Sequence, residues 1–307
     1  MTPPPFDREL ADVLETLRAL RPLLATLDDI PARRELNAAE HRTVEELAAA
    51  YPVYKVAEEY AGHVPLLVMR PEESAGVLYY VHGGGTIVGS HLGGDVPNLL
   101  AWAGELNLTI VSPGYRLAPE HPYPAPVEDC YDGLLWTVEH VAGPLVVGGV
   151  SAGGGLAAGT TLLARDRGGP AIAGQLLLCP MLDDRNDSPS AIDLDGLGLW
   201  DRTANNVGWI AYLGDRRGTE DVPAYAAAAR ATDLAGLPPT FLDVGTAETF
   251  RDEVVAYASR LWRAGGDAEL HVWPGGFHGA DSLVPEAAIS RAARAARLTW
   301  LRRLLGQ

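Results

Sequence analysis

The sequence has few cysteines and no long apolar run, and each deficit argues against a class of protein. Cys130 and Cys179 are the two thiols among 307 residues, with no CxxC pair or Cys/His cluster around them. Neither a disulfide framework nor a zinc site is therefore expected, and no metal is predicted. No apolar stretch reaches the roughly 20 residues of a membrane-spanning helix. The first residues also lack the basic segment and apolar run of a secretory signal, so a cytoplasmic protein without a membrane partner is predicted.

Positive charge is also scarce. There are 24 basic and 40 acidic side chains, which gives a formal net charge of −16. Such a surface repels nucleic-acid phosphates and anionic lipid, so no nucleic-acid partner is expected. It mildly favours neutral small molecules over anionic ones as substrates. The chain is 47% hydrophobic, and its length suffices to bury a sheet covered on both faces.

Short apolar runs alternate with helical stretches along most of the chain. From the third run onward they are mostly continuous, as in strands covered on both faces. This pattern predicts an α/β fold with a mostly parallel eight-stranded sheet and helices on both sides. The predicted strands are 53–56, 65–69, 76–81, 108–112, 144–147, 175–178, 240–244 and 268–272, and the clearest helices are 127–140, 155–167 and 251–264.

Two regions lie outside this alternation. Residues 1–50 contain helical spacing from Asp7 to about Leu27 and again from Ala38 to Ala50, with Asn37 as the expected N-cap. We expect these helices to form a cap on a catalytic domain that spans 51–307. Within that domain, residues 182–225 carry acidic loops and an aromatic helical piece, which predicts a lid-like insertion. Its aromatic residues, the candidate lining of a substrate pocket, are Trp200, Trp209 and Tyr212.

The segment Gly149-Val-Ser-Ala-Gly153 follows an apolar strand and opens a helical stretch. A G-x-S-x-G sequence in that context is typical of a nucleophile elbow, in which flanking glycines allow a sharp turn that exposes the serine hydroxyl. The pattern alone is a weak signal, since a glycine-rich turn can produce it. The strand before it and the helix after it make Ser151 the candidate nucleophile.

A second glycine-rich segment, His82-Gly-Gly-Gly85, follows another apolar strand. Its backbone N–H groups could approach a substrate oxygen and, with the N–H of Ala152, form an oxyanion hole. A flexible loop or a phosphate-binding turn is the alternative. The phosphate alternative is weak because neither G-x-G-x-x-G nor a P-loop lysine follows.

A serine nucleophile needs a base and an acid, which should follow it in the order acid, then histidine. His271 lies inside the last strand, where a structural role is expected, whereas His278 lies in the loop just after that strand. Glu248 lies in a strand-to-helix loop, which suits the acid. The competing carboxylates are Asp243 in the strand and Asp252 and Glu253 in the following helix, where Asp252 is expected to face the N–H groups of the first turn.

Together these residues resemble the hormone-sensitive-lipase family of bacterial esterases. The resemblance covers about 65–307. It implies the α/β-hydrolase fold with an N-terminal helical cap, hydrolysis of carboxylic esters without a cofactor, and Gly83, Gly84 and Ala152 as oxyanion donors. The matching segments are His82–Gly85, Tyr115–Glu120, Tyr123–Ala125, Ser151–Gly154 and Arg251–Glu253.

Three positions depart from the family pattern. Val150 stands where the family usually has Asp before the serine, and Glu248 stands where the family's acid is usually Asp. Ala280 replaces the usual phenylalanine after His-Gly, and Phe277 precedes the histidine instead. These differences concern subfamily and pocket shape rather than the chemistry.

The sequence therefore predicts a serine carboxylesterase that acts through an acyl-enzyme on short-chain or small neutral esters, as a possible homodimer. The same triad would also serve hydrolysis of an amide, a carbamate or a lactone. A non-catalytic ligand receptor on the same fold is the remaining alternative, because a fold does not fix a function.

Overall fold

A computed structural model describes residues 3–20 and 24–307, and in this part of the chain it contains eight strands and eleven α-helices. The strands are β1 Tyr54–Ala61, β2 Val64–Pro71, β3 Gly76–Val81, β4 Leu108–Pro113, β5 Leu145–Val150, β6 Gly174–Leu178, β7 Thr240–Gly245 and β8 Ala268–Trp273. The helices are α1 Arg8–Leu20, α2 Ile30–Ala38, α3 Val44–Ala50, α4 Asp95–Ala103, α5 Ala125–His140, α6 Ala152–Asp166, α7 Pro189–Asp193, α8 Arg202–Leu213, α9 Arg251–Arg263, α10 Ala280–Leu283 and α11 Ala288–Leu305.

The eight strands form one sheet in the order β1-β2-β4-β3-β5-β6-β7-β8. Strand β2 is antiparallel to β1 and β4, and the strands from β4 to β8 run parallel. Alternate residues of β3 enter two separate cores, with Val77 and Tyr79 on one face and Leu78 and Tyr80 on the other. Both faces are thus covered, which explains why the central strands appear as continuous apolar runs. The predicted α/β-hydrolase architecture is confirmed.

Parallel strands place their carboxyl ends at one edge of the sheet, where ligands bind in open α/β folds. The loops after β5, β7 and β8 all leave from this edge, although the chain between them is long. Ser151, Glu248 and His278 lie on these three loops. The topology alone therefore brings the three candidate residues to the same end of the sheet.

The N-terminal helices differ from the prediction in number, bounds and capping, since α2 at Ile30–Ala38 was not predicted and α3 is shorter than the predicted 38–50. Asn37 is not an N-cap, because it lies inside α2, and the following helix α3 begins only at Val44. The cap of α3 is Thr43, whose Oγ1 accepts the Glu46 N–H at 3.1 Å, while the Glu46 carboxylate accepts the Thr43 N–H at 2.9 Å. This reciprocal capping box satisfies two N–H groups, which a lone asparagine does not do.

Helices α7 and α8 lie in the segment 182–225, between β6 and β7. Trp209 and Tyr212 are buried on α8, and Trp200 is buried in the loop before it. Leu10 and Leu14 of α1 lie in one apolar cluster with Phe277, the residue before His278, and Leu199 beside Trp200 packs against it. The division of the chain into a cap, a catalytic domain and a lid stays a prediction.

A buried ion cluster joins the last helix to the sheet. Arg297 of α11 is 4% exposed, and its Nε donates to Asp243 Oδ2 of β7 at 2.7 Å. Its Nη1 also donates to Asp281 of α10. Burial raises the pKa of Asp243, and the neighbouring guanidinium opposes that rise. Such a cluster depends on all its members, since removal of one leaves an uncompensated buried charge.

We expect Arg297→Ala to lower the free energy of unfolding by about 3–5 kcal/mol, because Asp243 would stay buried without its partner. Arg303→Ala is the matched control on the same helix. Arg303 is largely exposed and pairs with Glu269, so its loss should cost less than about 1 kcal/mol. Urea unfolding of both variants measures the difference, and equal losses would contradict the assignment.

Candidate active site

Ser151 occupies a sharp strand-to-helix turn between β5 and α6. Its backbone has φ 58° and ψ −124°, a conformation that residues with a side chain rarely adopt. A Cβ on Gly149 would lie 2.4 Å from the Gly153 carbonyl oxygen, and one on Gly153 would lie 2.1 Å from that of Val81. Only glycine therefore fits at either position. The turn is fixed further by the Ser151 N–H, which donates to the Leu178 carbonyl at 2.8 Å.

Ser151, His278 and Glu248 are connected by hydrogen bonds. The Ser151 Oγ lies 2.9 Å from His278 Nε2, and Nδ1 of the same ring lies 2.6 Å from Glu248 Oε1. The other carboxylate oxygen accepts the Gly245 N–H at 3.2 Å. Glu248 is only 3% exposed, so its bond to the imidazole is shielded from water. The glutamate side chain thus spans from the Gly245 N–H to the imidazole of His278.

The competing carboxylates are occupied elsewhere. Asp243 pairs with Arg297, and Glu253 Oε1 accepts the Leu182 N–H at 2.7 Å. Asp252 was predicted to face the first turn of its own helix, and this prediction is wrong. It accepts the Ser190 N–H at 2.8 Å and pairs with Arg251, because α7 packs across the start of α9.

His271 lies within β8, and its partners are neighbouring side chains of the sheet. Its Nε2 lies 2.8 Å from Glu269 Oε1, and its ring stacks between Phe241 and Trp273. These contacts are consistent with the structural role expected for it. His278 instead lies in the loop after β8, where Phe250 meets its ring edge-on at 5.2 Å between centroids.

The glycine loop, Gly83–Gly85 after β3, differs from the prediction at one position. Gly83 is not a free donor, because its N–H already donates to Asp95 Oδ2 at 2.7 Å. Within residues 3–20 and 24–307, the N–H groups of Gly84, Gly85 and Ala152 have no acceptor. Gly84 has φ 112°, and a Cβ there would lie 2.1 Å from the Val88 carbonyl oxygen. The free donors are thus Gly84, Gly85 and Ala152.

Asp95 was not identified from the sequence. It lies at the start of α4, twelve residues after Gly83, and burial raises the pKa of its carboxyl while the Gly83 N–H opposes the rise. The signal in the sequence is faint, since an acidic residue at a helix start is usually a solvated cap. Its contact with the glycine loop depends on a tertiary approach that spacing does not reveal.

His82 and Tyr115 support the glycine loop through a ring stack and a hydrogen bond. Their rings stack with centroids 4.1 Å apart, and the Tyr115 hydroxyl donates to the His82 carbonyl at 3.0 Å. Burial lowers the pKa of His82 to about 3, so the ring stays neutral and can pack in an apolar setting. The first residue of the His-Gly-Gly-Gly segment therefore supports the loop.

Val150 packs against the glycine loop at the place where the family usually has Asp. A Cβ on Gly83 would lie 3.3 Å from Val150 Cγ1 and 3.4 Å from Ser151 Cβ. The apolar side chain thus fills the space between the loop and the nucleophile turn. Asp95 supplies a carboxylate to this loop from the other direction.

The three aromatic residues of the predicted pocket lie around this site. The Trp200 ring lies against Gly85, where a Cβ would be 2.3 Å from the indole, and its centroid is 6.5 Å from that of His278. Trp209 and Tyr212 line a small cavity together with Ala152. All three side chains therefore adjoin the glycine loop, His278 or the free N–H of Ala152.

Cys179 lies beside Glu248 and His278. Its Sγ and the ligand atoms of Glu248 and His278 all lie within 4.8 Å of one another, a spacing that could suit a metal ion. Burial raises the pKa of this thiol well above its ordinary value, whereas a metal ligand must be a thiolate. His278 also uses both ring nitrogens within the hydrogen-bonded chain. The donor set therefore fits a metal poorly.

Comparison with known proteins places this site in context. The family model described as the α/β-hydrolase fold matches residues 78–282. Carboxylesterase NlhH from Mycobacterium tuberculosis is 32% identical, with 94% of this chain and 95% of that protein covered. Esterase LipI from the same organism is 35% identical over 65% of this chain and 64% of its own.

Two solved esterase structures also superpose on this chain over almost its whole length. A bacterial heroin esterase superposes with a TM-score of 0.87 at 38% identity, over 98% of both chains. Esterase LipW from Mycobacterium marinum superposes with a TM-score of 0.83 at 34% identity, over 99% of this chain and 98% of that one. No helix in the described part of this chain has the length and apolarity to cross a membrane.

Proposed function

We propose a catalytic triad for this chain, which belongs to the hormone-sensitive-lipase family of α/β-hydrolases and is a carboxylic ester hydrolase. The triad consists of Ser151, His278 and Glu248. The observation that carries this proposal is the continuous chain of hydrogen bonds from Ser151 Oγ through both nitrogens of His278 to Glu248. Such a chain activates a hydroxyl for attack on an acyl carbon.

The reaction proceeds in two acyl transfers. As Ser151 Oγ attacks the ester carbonyl, His278 Nε2 takes its proton, and Glu248 holds the imidazole and offsets the charge of the imidazolium. The carbonyl oxygen becomes an oxyanion, which the free N–H groups of Gly84, Gly85 and Ala152 stabilise. The proton then passes from His278 to the leaving alcohol. Water attacks the acyl-enzyme by the same route and releases the acid.

The preferred substrates in this proposal are small neutral esters. Support comes from the buried aromatic side chains near the base and the glycine loop, and from the net charge of −16, which disfavours anionic substrates. A cytoplasmic location and a homodimer are proposals that rest on the sequence alone. Labelling by a fluorophosphonate, which needs an activated serine, separates a hydrolase from a receptor on the same fold.

We expect Ser151→Ala to lower ester turnover on the order of 10⁶-fold, as loss of the nucleophile does in other serine hydrolases. The variant should unfold at the same temperature as the wild type, since only one oxygen is lost. The measurement is kcat on a chromogenic butanoate ester, with fluorophosphonate labelling as a second readout. Retention of several per cent of the activity would reject Ser151 as the nucleophile.

The assignment of the acid predicts a contrast between two carboxylates. Glu248→Gln keeps the shape but misorients His278, so kcat should fall by up to about 10⁴-fold near neutral pH. Asp252→Asn should leave kcat almost unchanged, because Asp252 contacts Ser190 and Arg251 instead of the base. Glu248→Asp should recover part of the activity if the loop adjusts. A strongly reduced kcat in Asp252→Asn together with an unchanged kcat in Glu248→Gln would reject Glu248 as the acid of the triad.

The confined pocket predicts a dependence on chain length. On 4-nitrophenyl esters of one series, kcat/KM should be highest for acyl groups of two to four carbons and should fall for longer ones. Trp200→Ala should narrow that difference by opening the wall beside Gly85. Equal or higher kcat/KM on long-chain esters would contradict the proposal of a confined pocket.

A further inference from the structure

Three buried polar side chains without hydrogen-bond partners line one cavity. They are Thr86 Oγ1, Trp209 Nε1 and Tyr212 OH, and each residue is at most 2% exposed. Within residues 3–20 and 24–307, none of these atoms has a partner. Buried polar groups are almost always hydrogen-bonded, so three residues with unpaired polar atoms in the wall of one cavity indicate a site that is completed by something it binds.

The cavity adjoins the reaction centre. Ala152, whose free N–H belongs to the proposed oxyanion hole, is part of its wall, and Thr86 directly follows the glycine loop. The space open to the centre of a water-sized group is about 10 Å³, which is room for roughly one such group.

The chemistry of the three groups defines what they can bind. An indole N–H only donates, whereas the hydroxyls of Thr86 and Tyr212 can donate or accept. Burial raises the pKa of Tyr212 well above its ordinary value, so the phenol keeps its proton and can donate. The other lining side chains are those of alanine, glycine, leucine and methionine, so no charged group is present to balance an ionic ligand.

Resting on the proposed ester hydrolysis, we propose that this cavity selects acyl groups that carry a neutral hydrogen-bonding oxygen, such as 2- or 3-hydroxyacyl groups. The oxygen accepts the indole N–H of Trp209 and exchanges hydrogen bonds with Tyr212 and Thr86. An apolar acyl group of the same size leaves all three buried groups unpaired. Sites built to bind a substrate hydroxyl reject the analogue without it for this reason.

The test compares isosteric pairs of 4-nitrophenyl esters. One pair is 3-hydroxybutanoate and 3-methylbutanoate, and the other is 2-hydroxypropanoate and 2-methylpropanoate. Each kcat/KM is divided by the rate constant of hydroxide hydrolysis of the same ester, which removes intrinsic reactivity. For at least one pair, the hydroxyl ester should be preferred by roughly 10-fold or more after this correction.

Two variants locate that preference. Tyr212→Phe and Thr86→Val each remove one hydroxyl with little change in volume, and each should reduce the preference by about 3- to 10-fold. Tyr212→Phe should leave kcat/KM on the methyl ester nearly unchanged, because the Tyr212 hydroxyl is unpaired both in the free enzyme and in that complex. Tyr257→Phe is the matched control. Its hydroxyl is equally buried and unpartnered but lies outside the cavity, so its loss should leave the preference unchanged.

The outcomes separate this inference from the proposed function. Hydrolysis of both members of each pair, with the methyl ester equal or better, would overturn the inference and leave ester hydrolysis intact. Absence of hydrolysis of all four esters and of a simple butanoate ester would overturn the proposed function itself. A preference that survives in Tyr212→Phe and Thr86→Val, or that also falls in Tyr257→Phe, would show that these side chains do not select the oxygen.

Discussion

The backbone at Ser151 has to remain at φ 58° while a strand ends and a helix begins within one residue of it. This conformation is possible because Gly149 and Gly153 leave no Cβ in the way, with the nearest carbonyl oxygens 2.4 Å or less from where one would be. The Val81 and His82 carbonyls press against Gly153, so the glycine loop lies directly on the turn. This contact between the glycine loop and the turn therefore positions both the free N–H groups and the Ser151 hydroxyl.

The N-terminal helices support the same site from outside the sheet. Leu10 and Leu14 of α1 pack on Phe277, which immediately precedes His278. On α2, Arg34 donates to the Ile87 and Ala118 carbonyls at 2.8 and 2.9 Å and pairs with Glu120. These contacts reach the loop of His278 and the segment after the glycine loop. The helices α1 and α2 thus connect two of the loops that carry or adjoin the site residues.

Much of the site could be predicted because its signals are local. Continuous apolar runs reveal buried strands, and the residues just after them at the carboxyl edge are few, so Ser151, His278 and Glu248 could be selected by position. The contact between Asp95 and Gly83 could not, because it joins a helix start to a loop twelve residues away through tertiary packing. Asn37 failed as a cap for a different reason. Thr43 and Glu46 form a reciprocal pair, and a pair satisfies more N–H groups than one asparagine.

A triad and an oxyanion hole treat all acyl groups alike, so selectivity must come from the walls around them. Most of those walls are apolar, and an apolar wall discriminates weakly between acyl groups that differ by a single methylene. The wall formed by Thr86, Trp209 and Tyr212 differs because it contains polar atoms without hydrogen-bond partners. Each costs free energy in the empty site and in any complex that leaves it unpaired, and a substrate oxygen relieves that cost only when the acyl group is in place. The proposed selection by oxygen therefore follows from the unpaired groups of the folded site, in the same way that the proposed attack by Ser151 follows from the geometry imposed on its backbone.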